Sequence, residues 1–221
     1  TTTVDWVDRF ISGVRAELES AQVSLVGGDL SSSSIISVAV TAIGQTRGQR
    51  VITRSGALPG QAVAHRGLIG QAAAGLAVLS RGFRSPRALV SAYQRPEIPY
   101  GAGAEARRHG ATAMIDVSDG LVADLEHIAQ ASGVVIDIDS GTLPMSEPLS
   151  AVAHATGRDP LDFLLAGGED HGLVATFPFG EVPPLWTVVG QVVERGDRDP
   201  MVCVDGKQWL GAKGWNHFAV K

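Results

Sequence analysis

The chain has 221 residues, of which 44% are hydrophobic and 19% charged, so it can bury the core of one large domain or of two smaller ones. Its formal net charge of −5 argues against a nucleic-acid partner, and no apolar run reaches the roughly 18 residues of a membrane span. One cysteine, Cys203, excludes an internal disulfide and fits a reducing cytoplasm. The first residues, TTTVDW, hold neither an initiator methionine nor a signal pattern, so we expect the chain to begin inside a longer protein.

The N-terminal part of the chain is predicted to contain one amphipathic helix and two strands. Apolar residues recur at helical spacing from Trp6 to Leu18, and two short runs rich in β-branched residues follow. The helix and the two strands are predicted at residues 4–20, 23–26 and 35–43. Gly44 and Gly48 then mark the predicted boundary between two lobes.

The rest of the chain mixes strand and helix patterns, with polar residues gathered at glycine-marked junctions. Strands are predicted at residues 51–54, 61–65, 111–115, 134–138, 173–177, 186–193 and 201–204. Helices are predicted at residues 70–79, 87–94, 102–109 and 121–131, with a short one near Asp162. The pattern predicts an α/β (α+β) fold in which a mixed sheet is flanked by helices.

The segment Ile115–Leu121, with the sequence IDVSDGL, places two carboxylates between a predicted strand and a predicted helix. Asp116 and Asp119 would repel each other without a cation between them, and Mg²⁺ prefers carboxylates together with phosphate oxygens. The N–H groups at the start of the helix would suit a phosphate. Helix capping by Ser118 or Asp119 is the alternative, and it leaves Asp116 unexplained. We therefore predict a metal–nucleotide site at this junction.

Three further junctions carry polar side chains, and each has a plainer alternative. Gly27-Gly28-Asp29 puts another carboxylate at the end of a predicted strand, where it would suit a ligand site. The same three residues are also typical of an ordinary turn. Arg54 with Ser55 suits a phosphate, although an exposed loop arginine is an equal explanation. Gly167-Gly168-Glu169-Asp170 adds two carboxylates at a flexible junction, or forms a solvated acidic turn.

Several catalytic patterns are absent from the sequence. The six histidines lack the spacing of a metal site such as HExxH. There is no Gly-x-Ser-x-Gly turn and no Cys–His pair, so covalent catalysis by a nucleophile has little support. The phosphate-binding loop GxxxxGK[ST] is also missing, so any ATP is bound by another scheme.

Taken together, these motifs resemble one family, thiamine-monophosphate kinase, of the superfamily shared with aminoimidazole ribonucleotide synthetase. The resemblance runs from about Trp6 to Phe218 and is strongest between Ala111 and Leu143. The form D-x-S-D-G-L separates it from relatives in purine synthesis, selenophosphate synthesis and hydrogenase maturation. The other matching stretches are Gly27-Gly28-Asp29, Arg54-Ser55-Gly56, Gly67–Gly70, Ala73–Leu76, Arg95-Pro96 and Gly167–Asp170.

The resemblance implies a phosphotransferase that passes the γ-phosphoryl group of ATP directly to thiamine monophosphate, giving thiamine diphosphate with several Mg²⁺ ions and no phosphoenzyme. It implies a two-lobe, synthetase-like fold, with residues 1–46 as the remnant of an N-terminal α/β domain and residues 47–221 as the C-terminal α/β domain. The active site is expected between them. A cytoplasmic homodimer is expected when the N-terminal domain is complete, with no nucleic-acid or membrane partner.

The resemblance also assigns roles to individual residues by matching position. The implied Mg²⁺ ligands are Asp29, Asp116 and Asp119. The implied ATP contacts are Gly28, Arg54 and Ser118. The implied contacts to the thiamine moiety are Glu169 and Trp215, and for Trp215 a buried structural tryptophan is the alternative.

The chain departs from the family pattern in two ways. An upstream region with a Gly-Asp-Asp motif and a Ser/Thr-Asp pair is missing, together with most of the expected dimer interface, so we expect the chain as given to be inactive. His171-Gly172 stands where Tyr-Glu is usual, which leaves the local substrate contacts open. Two rival functions remain, namely another ATP-using member of the superfamily acting on a purine precursor, and a non-catalytic scaffold built on the same fold.

Overall fold

A computed structural model of the protein describes residues 2–46 and 48–215. The chain divides into two units, Thr1–Gln49 and Arg50–Lys221, at a point close to the predicted boundary after residue 46. Within the described ranges, no helix combines the length and the apolar composition that a bilayer span requires.

The first unit contains a single helix in its described part, α1, at Val4–Ala21. It begins where the Thr3 side chain accepts a hydrogen bond from the Trp6 N–H at 3.2 Å, and the Trp6 and Phe10 rings stack 5.4 Å apart. The predicted strands at residues 23–26 and 35–43 are not formed. A strand needs a hydrogen-bonded neighbour, and the described part of this unit contains none, so apolar side chains there remain largely exposed.

The second unit is built on a seven-stranded sheet. Its strands β1 to β7 are Ala62–Arg66, Ala113–Val117, Val135–Ile138, Gly172–Phe177, Thr187–Val193, Met201–Val204 and Lys207–Gln208. They lie in the order β2-β4-β1-β5-β3-β6-β7, and all neighbours are antiparallel except β3 and β6, which are parallel. The mixed sheet confirms the predicted fold class.

Helices α2 to α7 are Gln71–Leu79, Arg87–Gln94, Ala102–Arg108, Leu121–Ser132, Glu147–Thr156 and Pro160–Ala166, and a short 3₁₀ helix spans Ser140–Thr142. The short helix predicted near Asp162 is α7, whereas α6 was not predicted. The strand predicted at residues 51–54 is not formed either. That segment pairs with β2 through one bond in which the Met114 N–H donates to the Thr53 carbonyl at 2.9 Å.

The main hydrophobic core lies between one face of the sheet and helices α2, α3, α5, α6 and α7. A smaller core on the other face contains residues of α4 together with Phe177 and Trp186, whose rings meet edge to face at 5.2 Å. Because β2 is an edge strand and leads directly into α5, the loop between them lies at the rim of the sheet. The polar residues of the D-x-S-D-G-L motif lie in and around that loop.

Candidate functional site

Asp116 lies near the end of the edge strand β2, on the sheet face opposite the main core. Its side chain is exposed, and in the described part of the chain no hydrogen bond or ion pair engages its carboxylate. It lines an open cleft of about 520 Å³ that also contains Arg54 and the hydroxyl-bearing Thr53 and Ser55. The structure thus brings the predicted metal ligand Asp116 and the predicted ATP contact Arg54 to one cleft.

A second cleft of about 420 Å³ also contains Asp116, and it is more apolar. Tyr100, Leu173 and His171 line it, so the histidine that departs from the family pattern lies beside the predicted metal ligand. The His171 Nε2 is 3.7 Å from the carboxylate of Glu169. Glu169 and His171 have φ angles of +70° and +52°, a left-handed conformation that is uncommon in residues other than glycine and tends to occur at functional sites.

The loop Ser118–Gly120 is organised by a buried carboxylate in the helix that follows it. Oδ2 of Asp124 accepts the N–H groups of Ser118, Asp119 and Gly120 at 3.0, 3.1 and 3.2 Å. Burial raises the pKa of the Asp124 carboxyl above its ordinary value, and the three hydrogen bonds oppose that rise. These three N–H groups therefore already have an acceptor, and the phosphate predicted at the start of α5 stays a prediction.

The alternative of simple capping by Ser118 or Asp119 fails, since the N-cap residue of α5 is Gly120, which has no side chain to accept a bond. The Ser118 side chain stays a predicted ATP contact.

The segment Lys213–Trp215 contacts the same loop from the outside. The Trp215 N–H donates to the Asp119 carbonyl at 2.9 Å, and the Ala123 N–H donates to the Lys213 carbonyl at 3.1 Å. Gly214 has a φ of +150°, and a Cβ there would overlap the Asp119 carbonyl oxygen. The backbone of Trp215 thus adjoins the motif while its side chain is 60% exposed, which argues against the alternative of a buried structural tryptophan.

The Gly167–Asp170 junction is a packed turn. A Cβ at Gly168 would overlap the Ser118 carbonyl oxygen, and the Glu169 N–H donates to that same oxygen at 2.8 Å. Asp170 is 2% exposed, and its carboxylate accepts the N–H groups of Gly70 and Ala72 at the start of α2. Burial raises the pKa of Asp170 to about 6, against the lowering effect of its backbone hydrogen bonds. Asp170 therefore caps α2, and Glu169 remains exposed beside the site.

The remaining predicted site residues, Gly28 and Asp29, are exposed in the first unit. The Asp29 carboxylate accepts a hydrogen bond from the Ser31 hydroxyl at 2.9 Å. Among the residues that the structure describes, no group of three or more histidine, cysteine, aspartate or glutamate side chains is close enough to hold a metal ion. The set Asp29, Asp116 and Asp119 therefore stays a predicted set of Mg²⁺ ligands.

The donor chemistry of the second unit fits Mg²⁺. Asp116 offers an exposed carboxylate that no described residue neutralises, and Arg54 in the same cleft is suited to a phosphate. Magnesium commonly uses one or two protein carboxylates and completes its shell with water and phosphate oxygens. A nucleotide bound at this cleft would supply those phosphate oxygens.

Sequence reasoning missed the structural importance of Asp124 and Asp170. Asp124 carried a usable signal, since it interrupts the apolar stripe of Leu121, Leu125 and Ile128 at helical spacing, where a carboxylate must find buried donors. Asp170 carried no comparable signal, because its partners at the start of α2 are a hundred residues earlier in the chain.

Comparisons with known proteins identify the family. Residues 59–178 match the family described as AIR synthase related protein, C-terminal domain. The thiamine-monophosphate kinase of Mycobacterium tuberculosis is 44% identical over 209 residues, covering 94% of this chain and 62% of that protein. The thiamine-monophosphate kinase of Corynebacterium glutamicum is 41% identical over 223 residues, covering 98% of this chain and 67% of that protein.

A solved structure described as AaThiL complexed with AMPPCP and TMP superposes with a TM-score of 0.83 at 32% identity, covering 98% of this chain and 70% of that one. The chain thus spans less than two thirds of the length of its M. tuberculosis relative. The fold, the D-x-S-D-G-L loop and these similarities agree, and the chain belongs to the thiamine-monophosphate kinase family of AIR synthase related proteins.

Proposed function

We propose that the protein containing this chain transfers the γ-phosphoryl group of ATP to thiamine monophosphate. A phosphate oxygen of thiamine monophosphate bonds to the γ-phosphorus, the bond from that phosphorus to the β–γ bridging oxygen breaks, and ADP leaves. The observation that carries the proposal is the cleft in which the exposed Asp116 carboxylate and Arg54 lie together. The AMPPCP and TMP bound to the related AaThiL structure support the same pair of substrates.

The residues of this chain are proposed to bind and orient rather than to react. Arg54 pairs with phosphate oxygens of ATP, and the Ser118 hydroxyl adds a hydrogen bond at the rim of the sheet. Glu169 and Trp215 are both exposed beside the Asp119 loop, where they contact the thiamine moiety. Direct phosphoryl transfer needs positioning and charge neutralisation, which agrees with the lack of an activated nucleophile in the sequence.

Magnesium ions would be held by Asp116 and Asp119, with Asp29 supplied by the first unit. When bound, they would neutralise the phosphate charge that builds up during transfer. The chain's own contribution is to present these carboxylates, and Asp116 is held for this purpose in the regular ladder of β2, opposite Leu173 of β4.

The test uses the protein made from the complete reading frame, and it compares two acceptors and two variants. Thiamine monophosphate and the open-chain ribonucleotide precursor of the aminoimidazole ring are offered together with ATP and Mg²⁺, and both products are separated by chromatography. We expect thiamine diphosphate to form and the Asp116→Asn variant to lose it, while Asp205→Asn, a substitution far from the cleft, keeps it. ATP-dependent conversion of the open-chain precursor would favour the purine-precursor function, and no product from either substrate would favour the scaffold.

Two further expectations belong to this proposal. The protein that contains this chain is expected to be a cytoplasmic homodimer, and the chain by itself is expected to be inactive. Size-exclusion chromatography with light scattering tests the first expectation. The acceptor assay, repeated on the chain as given, tests the second.

A further inference from the structure

The loop Ser118–Gly120 is held from the protein interior by a carboxylate to which the proposed function gives no role. Asp124 is 2% exposed, and a single oxygen, Oδ2, accepts all three N–H groups of the loop. Burying a carboxylate is costly unless charge-assisted hydrogen bonds compensate it. These three bonds to one buried oxygen fix the backbone of the loop that leads into α5.

The same loop is held from the outside by the segment Lys213–Trp215. The Trp215 N–H donates to the Asp119 carbonyl at 2.9 Å. Gly214 fits against that carbonyl only because it lacks a Cβ. The Lys213 ammonium lies 2.7 Å from the Glu126 carboxylate on α5, which ties this segment to the helix.

The two supports meet at one residue. The Asp119 N–H is held by Asp124 at 3.1 Å and the Asp119 carbonyl by Trp215 at 2.9 Å, so both backbone polar groups of Asp119 are fixed. A residue held at both groups has little freedom in φ and ψ, and the direction of its Cα–Cβ bond is therefore set. Fixing that direction matters little for a surface side chain but strongly for a metal ligand, whose oxygens must be placed to within a few tenths of an ångström.

We propose that Asp124 is a positioning residue that fixes the backbone of Asp119 so that its carboxylate is presented to a divalent cation bound with a nucleotide. The inference rests on the proposed function for the identity of that cation site. Asp124 is not placed as a ligand of the cation, because its carboxylate is buried and its Oδ2 accepts the N–H groups of the loop. The segment Lys213–Trp215 completes the same support from the opposite side.

The test measures divalent-cation affinity, which needs no turnover. Electron paramagnetic resonance follows the binding of Mn²⁺ to the protein made from the complete reading frame. AMPPCP is present, and the temperature is well below that of unfolding. Loss of an outer partner of a metal ligand typically weakens affinity by about 10- to 100-fold, and we expect Asp124→Asn to fall in that range. The control is Asp205→Asn. The Asp205 carboxylate accepts two hydrogen bonds from Ser140 at an exposed turn, and we expect its replacement to leave the Mn²⁺ affinity unchanged.

If Asp124→Asn does not fold, Gly214→Ala displaces the Asp119 carbonyl from the outside, and we expect a similar loss of Mn²⁺ affinity. A folded Asp124→Asn or Gly214→Ala variant that binds Mn²⁺ as tightly as the unchanged protein would overturn the proposal. An unchanged protein that binds no Mn²⁺ would overturn both this proposal and the metal site. Weaker Mn²⁺ binding in the variant, with no thiamine diphosphate formed by the unchanged protein, would leave the positioning role intact and refute the proposed function alone.

Discussion

Replacing Asp170 by alanine is expected to destabilise the second unit strongly. Asp170 is 2% exposed and accepts the N–H groups of Gly70 and Ala72, which open helix α2. Without the carboxylate these donors stay buried and unpaired, because the buried Gly70 packs against Phe163 of α7 and against Gly167. The substitution therefore removes a cap and leaves orphaned donors at once.

The size of the effect follows from the number of donors. A buried N–H left unsatisfied costs about 1–3 kcal/mol, so the loss of these two bonds amounts to about 4 kcal/mol. Asp159 provides a matched control, since it caps α7 through one exposed bond to the Leu161 N–H at 2.9 Å. Asp159→Ala is expected to cost about 1 kcal/mol, the usual value for an exposed N-cap.

The assay is urea unfolding at pH 7 followed by far-ultraviolet circular dichroism, with the free energy of unfolding taken by linear extrapolation. We expect Asp170→Ala to lower the free energy of unfolding clearly more than Asp159→Ala does, with an unchanged m-value. Equal losses in the two variants would refute the reasoning, because they would show that the buried carboxylate is worth no more than a surface cap.

Three smaller predictions concern single contacts. Gly168→Ala places a Cβ against the Ser118 carbonyl and should cost about 1–3 kcal/mol in the same unfolding assay, and an unaffected midpoint would contradict the close packing. Burial lowers the pKa of His65 to about 4, so below pH 6.5 this histidine is protonated in the unfolded protein but not in the folded one. The free energy of unfolding is therefore unaffected by His65 above pH 6.5 and is about 2 kcal/mol lower at pH 5. His65→Gln should lose that part of the pH dependence, and an unchanged difference between pH 7 and pH 5 would show otherwise. Lys213→Ala removes a half-exposed ion pair with Glu126 and should cost less than about 1 kcal/mol of unfolding free energy, so a larger loss would contradict a surface role.

The regular elements of the second unit were predictable because their patterns are local. Arg87–Gln94 and Met201–Val204 agree with the predicted bounds to the residue, since helical spacing and a short β-branched run are visible in the sequence itself. The strands predicted in the first unit were wrong for the opposite reason. An apolar run indicates an extended segment, but whether it becomes a strand depends on a neighbour that the local pattern does not contain.

Two residues that line the cleft, Asp116 and Arg54, were singled out from the sequence, but the hydrogen bonds of the neighbouring loop were not. The motif around Asp116 indicated where polar chemistry lies, and the structure places Arg54 in the same cleft. The local pattern could not show that the N–H groups after Ser118 are used internally, because a buried carboxylate in the following helix competes with any phosphate for them. Gly167-Gly168 looked flexible, yet both glycines are required by close backbone contacts, which depend on the tertiary fold.

Phosphoryl transfer can be followed directly with [γ-³²P]ATP, using the protein made from the complete reading frame with thiamine monophosphate and Mg²⁺. We expect label in thiamine diphosphate, loss of that label in Asp116→Asn, and its retention in Asp205→Asn, with both variants folded by circular dichroism. Label transfer that survives in Asp116→Asn would contradict the assignment of the cleft, and label released only as inorganic phosphate would contradict transfer to thiamine monophosphate.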